Sequence, residues 1–168
     1  MSDAQTRRFT ERSRGDASDI DGQLVRASER ARTSQTPYKS CQMSVIGIGV
    51  DVIECARIRH SMDRFGDRFL HRVFTEGEIE YSMSMKFPER HLAARFAGKE
   101  AAAKAFGTGI GKATGWRNID IRKKESGEPF LVFSGPAETF AAERGVTLAL
   151  ITLSHTENYA VACVVLEG

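Results

Sequence analysis

The stretch RFAGKEAAAKAFGTGIG, residues 95–111, is a run of small and helix-favouring residues that ends in Gly107, Gly109 and Gly111. Extended back to Pro88, it predicts one long helix from about Pro88 to Gly107, with proline where a helix starts well and glycine where one ends well. Leu92, Phe96, Ala103 and Phe106 share an apolar stripe on that helix, while Glu100 and Lys104 lie to its side beside Ala93 and Ala97, over a surface of low relief. A Glu–Lys pair one turn apart is ordinarily a solvated pair contributing about 0.3–0.5 kcal/mol. Lys99 falls inside the apolar stripe, and periodicity gives no account of it.

Upstream, SVIGIGVDV at 44–52 alternates Ile46, Ile48, Val50 and Val52 with Val45, Gly47, Gly49 and Asp51. This is a strand with one apolar face and one open face, on which another element or a ligand can approach the two glycines. Asp51, at the end of that strand, either caps the following helix or offers a carboxylate to a metal. Residues 54–65 read as a helix, 67–73 as a short amphipathic turn or helix, and 76–85 as a helix opened by Thr75 with Glu78 at capping-box spacing. Downstream, strands at 117–123 and 129–133 meet at a turn around Ser126-Gly127, a helix follows at 136–144, and 147–154 with 159–166 form a hairpin. The mixed order predicts an α+β domain in place of a regularly alternating parallel sheet.

Bulk properties narrow the classes. The chain has 168 residues, enough for one domain with a sizeable core. Cys41, Cys55 and Cys163 are odd in number and widely spaced, so they make neither a disulfide framework nor a zinc set, and a cytoplasmic location is expected. No run approaches the roughly 18–20 apolar residues of a membrane span. Of 24 Lys and Arg and 22 Asp and Glu, residues 1–42 carry 8 and 6, which leaves 16 of each. A formally neutral body argues against nucleic acid as partner. Residues 1–42 hold only isolated apolar residues and read as a disordered N-terminal extension ahead of a domain at 43–168, with Met43 an alternative start. Six acids in that segment argue against an organellar transit peptide.

The glycine loop at 107–111 offers backbone N–H groups to a phosphate, or is a flexible helix stop; it follows a helix and matches neither the dinucleotide nor the Walker pattern. Ser154, His155 and Thr156 in LSHTENYAVA, residues 153–162, either donate to a phosphate or form a hairpin turn. Neighbours in a strand point to opposite faces, so Ser154 and His155 are not a nucleophile–base pair.

In order along the chain, GIGVDVIECARI at 47–58, FTEGEIEY at 74–81, RFAGKEAAAKAFGTGIG at 95–111, WRNIDIRKKESGEPFL at 116–131 and LSHTENYAVA at 153–162 resemble the holo-acyl-carrier-protein synthases, the small bacterial phosphopantetheinyl transferases. The resemblance runs from about Met43 to Gly168. It implies a compact α+β subunit with a long helix packed on a small, mostly antiparallel sheet, assembled as a homotrimer with each active site between neighbours. It implies that Asp51 and Glu100 hold Mg²⁺, that Lys104 lies near the coenzyme A phosphates, and that the Gly107–Gly111 loop wraps the nucleotide. By the same resemblance, Arg95, His155 and Thr156 reach coenzyme A from the adjacent subunit, and Arg57 faces the acidic acyl carrier protein.

The implied reaction moves 4′-phosphopantetheine from coenzyme A to a carrier serine and releases adenosine 3′,5′-bisphosphate, for fatty acid biosynthesis. Charge develops on the leaving diphosphate, which suits a cation held by two carboxylates with Lys104 beside it. The serine proton goes either to Glu100 or to a water. Two other classes use the same residues: a magnesium phosphohydrolase of a diphosphate, and a non-catalytic coenzyme A-binding module.

Overall fold

The computed structural model describes residues 44–111 and 113–168. The disordered reading of residues 1–42 and the alternative start at Met43 lie outside the described residues. Strand β1 (Val45–Glu54) runs straight into helix α1 (Cys55–Phe65), followed by α2 (Asp67–Val73), α3 (Glu76–Met83) and the long α4 (Pro88–Ala105). A single 3-10 turn, Trp116–Asn118, leads into the hairpin β2 (Ile119–Lys123) and β3 (Pro129–Phe133), then α5 (Pro136–Glu143) and a second hairpin, β4 (Leu148–His155) and β5 (Tyr159–Glu167). Every expected element is present within about two residues of its expected bounds.

Local chemistry explains the boundaries. Thr75 Oγ1 accepts from the Glu78 amide at 3.4 Å while the Thr75 amide donates to Glu78 Oε2 at 2.8 Å, the reciprocal capping box that opens α3. Pro88 occupies the first turn of α4. The β2–β3 turn closes through Gly127, whose φ of 93° few other residues adopt.

The larger sheet is antiparallel in the order β1-β5-β4, and β2 pairs with β3 in a separate two-stranded sheet. Helix α4 lies across one face of the larger sheet, chiefly against β1 and β5. Ala160, Ala162, Val164 and Leu166 of β5 point into that contact and are buried. The glycines of β1 do the same, and another element, the helix, takes up the approach they permit. A Cβ on Gly47 would overlap the Ala105 carbonyl oxygen, and one on Gly49 the Ala101 carbonyl oxygen. Even a single methyl at either position forces the helix off the strand, at about 1–3 kcal/mol.

The strand's two faces are therefore used in reverse of what hydropathy favours. Its open face is buried under α4, while Ile48, Val50 and Val52 are 68%, 58% and 63% exposed on the outside of the sheet. The single apolar stripe on α4 is also too narrow a description. Ala93, Ala97 and Ala101 on its small-residue side are fully buried too. Among the described residues no helix is long and apolar enough to cross a membrane.

Lys99 receives its explanation here. Its ammonium donates to the Trp116 carbonyl at 2.7 Å, to the Ile119 carbonyl at 2.6 Å and to Glu78 Oε2 at 2.8 Å, so all three N–H bonds are used. Glu78 Oε1 accepts from the Ile121 amide at 3.0 Å, and both side chains are fully buried. Burial pulls the lysine below its usual range, and the adjacent carboxylate opposes the shift. Removing one partner strands the other charge. Lys99→Met should lower unfolding stability in urea by about 3–5 kcal/mol. The double change Lys99→Met with Glu78→Gln should cost clearly less than the two single changes added together. Additive losses would contradict the pairing.

Candidate functional site

Asp51 lies on the buried face of β1, opposite Ala162 of β5. It does not cap α1, whose N-cap is Glu54; its carboxylate reaches the last turn of α4 instead. Lys104 Nζ donates to Asp51 Oδ1 at 2.8 Å and to the Val50 carbonyl at 3.1 Å. Glu100, one turn earlier on the same helix, is half-buried. Burial pushes its carboxyl up, the Asp51 charge pushes it further, and Lys104 opposes both. The structure thus brings Asp51, Glu100 and Lys104 to one place, where a strand end meets a helix end.

Two carboxylates against one ammonium leave net negative charge beside a surface of alanine and glycine. Among the described residues no cluster of three or more His, Cys, Asp or Glu forms a closed metal cage. A hard cation that takes one or two carboxylates and completes its shell with phosphate oxygens and waters matches this donor set. The loop beyond α4 is more committed to its helix. Gly107 and Gly109 have φ of 74° and 65°. The Gly107 amide donates to the Lys104 carbonyl and the Thr108 and Gly109 amides to the Ala103 carbonyl, at 2.9, 3.1 and 3.3 Å. These amides close the helix C-terminus.

Arg95 and His155 meet elsewhere. Arg95 is 5% exposed, its Cζ lies 4.3 Å from the centre of the Tyr81 ring, and its Nε has no hydrogen-bond partner among the described residues. With Tyr81, His91, Lys123, Gly127 and His155 it lines a cleft of about 190 Å³. Five and nine residues separate Arg95 from Glu100 and Lys104, roughly 140° and 180° around an α-helix. The two constellations therefore lie on different sides of α4. Thr156 is not free: its Oγ1 accepts from the Asn158 and Tyr159 amides at 3.3 and 3.2 Å, which shapes the β4–β5 turn.

Arg57 is exposed on α1. One turn along, Ser61 borders a groove of about 550 Å³ whose walls include Phe65, Phe69, Phe96 and Trp116, with Arg68 and Arg72 beside them. Phe96 and Trp116 pack with ring centres 4.7 Å apart. The groove was not foreseen, although alternating Arg and Phe in RFGDRFLHR at 64–72 is its trace in the sequence. His91 and Lys123 were likewise missed at the cleft.

Residues 47–164 match the family described as the 4′-phosphopantetheinyl transferase superfamily. The holo-[acyl-carrier-protein] synthase of Koribacter versatilis is 45% identical over 123 residues, 73% of this chain and 98% of the relative. That of Carboxydothermus hydrogenoformans is 47% identical over 118 residues, 70% of this chain and 94% of the relative. Among solved structures, the holo-[acyl-carrier-protein] synthase of Neisseria meningitidis superposes with a TM-score of 0.70 at 34% identity, covering 74% of this chain and all of that one. The Bacillus anthracis enzyme in complex with CoA (3′,5′-ADP) gives 0.62 at 36% identity, covering 74% of this chain and 97% of that one.

The raised Glu100 carboxyl has a thermodynamic signature. A carboxyl that binds its proton more tightly when folded stabilises the protein below its unfolded pKa, and that contribution is lost as pH rises through the folded value. Glu100→Gln removes the ionisation. Without divalent cation it should raise Tm by on the order of 2 °C at about pH 7.5, and by much less near pH 4, in scanning calorimetry. An equal change at both pH values would contradict the assignment.

Proposed function

This chain belongs to the 4′-phosphopantetheinyl transferase superfamily, and from that premise we infer that it transfers the 4′-phosphopantetheine arm of coenzyme A to a serine of apo-acyl carrier protein. The observation that carries this reading is the meeting of Asp51, Glu100 and Lys104 at one strand–helix junction, in a chain that spans nearly the whole length of the holo-[acyl-carrier-protein] synthases it resembles. The serine oxygen forms a bond to the β-phosphorus and gives up its proton to Glu100 or to a water, the bond from that phosphorus to the bridging oxygen breaks, and adenosine 3′,5′-bisphosphate leaves with the negative charge.

Asp51 and Glu100 would hold Mg²⁺, which when bound supplies positive charge to the diphosphate. Lys104 already lies beside Asp51 and adds a second positive charge that needs no reorganisation to act. Fixed on one helix a turn apart, Glu100 and Lys104 keep a constant spacing while phosphate oxygens move between ground and transition state. The groove with Arg68 and Arg72 on its rim, whose lining residue Ser61 lies one turn along α1 from Arg57, suits an acidic carrier that lands by charge and docks by apolar contact. Free thiols at Cys55 and Cys163 fit a reducing cytoplasm.

The working enzyme is a homotrimer in this reading. Ile48, Val50, Val52, Leu150 and Val161 form an exposed apolar patch on the outer face of the sheet, of the kind that subunit contacts cover. Arg95 and His155 lie around α4 from Glu100 and Lys104, so one chain's two constellations do not converge on one coenzyme. In the trimer His155, Thr156 and Arg95 of one subunit complete the site of its neighbour.

The direct test mixes the protein with apo-carrier, coenzyme A and Mg²⁺ and weighs the carrier by intact mass spectrometry. The carrier should gain one phosphopantetheine, and Asp51→Ala and Glu100→Ala should each cut the rate about 100-fold or more with Tm retained. Free phosphopantetheine with an unmodified carrier would make the protein a hydrolase. A second test addresses the shared site. Inactive Glu100→Ala mixed with an inactive Arg95→Ala/His155→Ala variant should regain activity once subunits exchange. No recovery after verified exchange would place all these residues in one chain's site.

A further inference from the structure

We propose that His91 is a positioning residue, whose ring, set edge-on against His155, holds the His155 imidazole in the cleft that receives the phosphate-bearing end of coenzyme A. The inference rests on the coenzyme-binding reading of His155 given above. His155 ends β4, is exposed, and among the described residues no hydrogen bond fixes its ring. A side chain so placed loses rotamer freedom when it binds a ligand, and any contact that orders it beforehand lowers that cost.

The contact is present. The His91 and His155 ring centres are 4.9 Å apart with planes at 73°, an edge-to-face arrangement. His91 is itself held. Its ring meets Tyr81 of α3 at 5.9 Å and 79°, and its carbonyl accepts from Arg95 Nη1 at 3.2 Å. Arg95 in turn lies over the Tyr81 ring. Arg95, Tyr81, His91 and His155 thus form one continuous stack from the buried interior to the cleft mouth, and the stack joins two residues assigned to the same coenzyme.

The charges around His91 suit a spacer that stays uncharged. Burial pushes its ring below the ordinary histidine range, and His155 on β4, Arg95 on α4 and Lys123 on β2 push the same way, with only Glu89 on α4 opposing. The neutral form of the His91 ring, which these surroundings favour, packs against His155 without repulsion. A charged one would repel it.

The test is a double-mutant cycle on KM for coenzyme A, with carrier saturating. His91→Ala should raise KM about 5-fold with a smaller fall in kcat, and His91→Phe, which keeps a ring, should restore KM to within about 2-fold of the parent. His155→Ala should raise KM at least as much, and His91→Ala should add almost nothing to it. Separately, imidazole NMR titration should show the His91 midpoint rising in His155→Ala, because one of the neighbours that lower it has gone. Additive effects in the cycle, a His91→Phe variant no better than alanine, or an unmoved His91 midpoint would each overturn the positioning role. If His155→Ala left KM unchanged while the His91 midpoint still moved, the ring contact would stand, but the coenzyme reading of the cleft, and His91's role with it, would fall.

Discussion

With no Cβ between the Gly47–Gly49 backbone and the carbonyls of Ala101 and Ala105, helix α4 meets strand β1 backbone to backbone. The position of the site follows from this. Asp51 is the next residue after Gly49 on the same face of the strand, and Glu100 and Lys104 flank Ala101 on the helix, so the three side chains are delivered together by two rigid elements. Their separations depend on main-chain geometry and short side chains, and little on the rotamers of bulky neighbours. Such an interface buries little apolar area per residue. The larger apolar burial comes from Phe74, Leu92, Phe106 and Ile119 around the helix, which are all but inaccessible to solvent.

The other side of α4 is held by a polar device. Lys99 and Glu78 tie the helix to the start of α3 and to the backbone entering β2, with every lone pair and proton that matters in use. Apolar side chains there would fill the same space but tolerate sliding by a fraction of a turn. Directed bonds to two carbonyls and an amide do not, and they fix the axial position of the helix that carries Arg95, Glu100 and Lys104.

Features that depend on neighbours in sequence were legible. The Thr75–Glu78 capping box, the proline start of α4 and the Gly127 turn are local rules, and each appears as expected. Long-range pairings were less so. Alternation in β1 identified two faces but not which one is buried, because hydropathy puts isoleucine inside, whereas here a helix of alanines selects the glycines. Lys99 was opaque because two of its acceptors are backbone carbonyls, which composition does not register, and the third lies in a different helix. The roles expected of Asp51, Glu100 and Lys104 came from five motifs in register; the spacing of Glu100 and Lys104 alone also describes any solvated surface pair. His91 lay in no motif that distinguished it, since its partner His155 is at the end of a strand far along the chain.

Among the described residues β1 pairs with β5 alone, so Asp51 faces Ala162 across nearly the whole length of the domain. During synthesis this arrangement imposes an order. Helices α1 to α4 and the β2–β3 hairpin emerge before β5, and the strand bearing Asp51 finds that partner only after residues 159–167 have left the ribosome. Until then Ile48, Val50 and Val52 lie on an unpaired strand, a template for unwanted pairing with other chains. A nascent chain halted before β5 has no sheet for β1 and α4 to join: the meeting of Asp51 with Glu100 and Lys104 is withheld from incomplete copies by the topology itself.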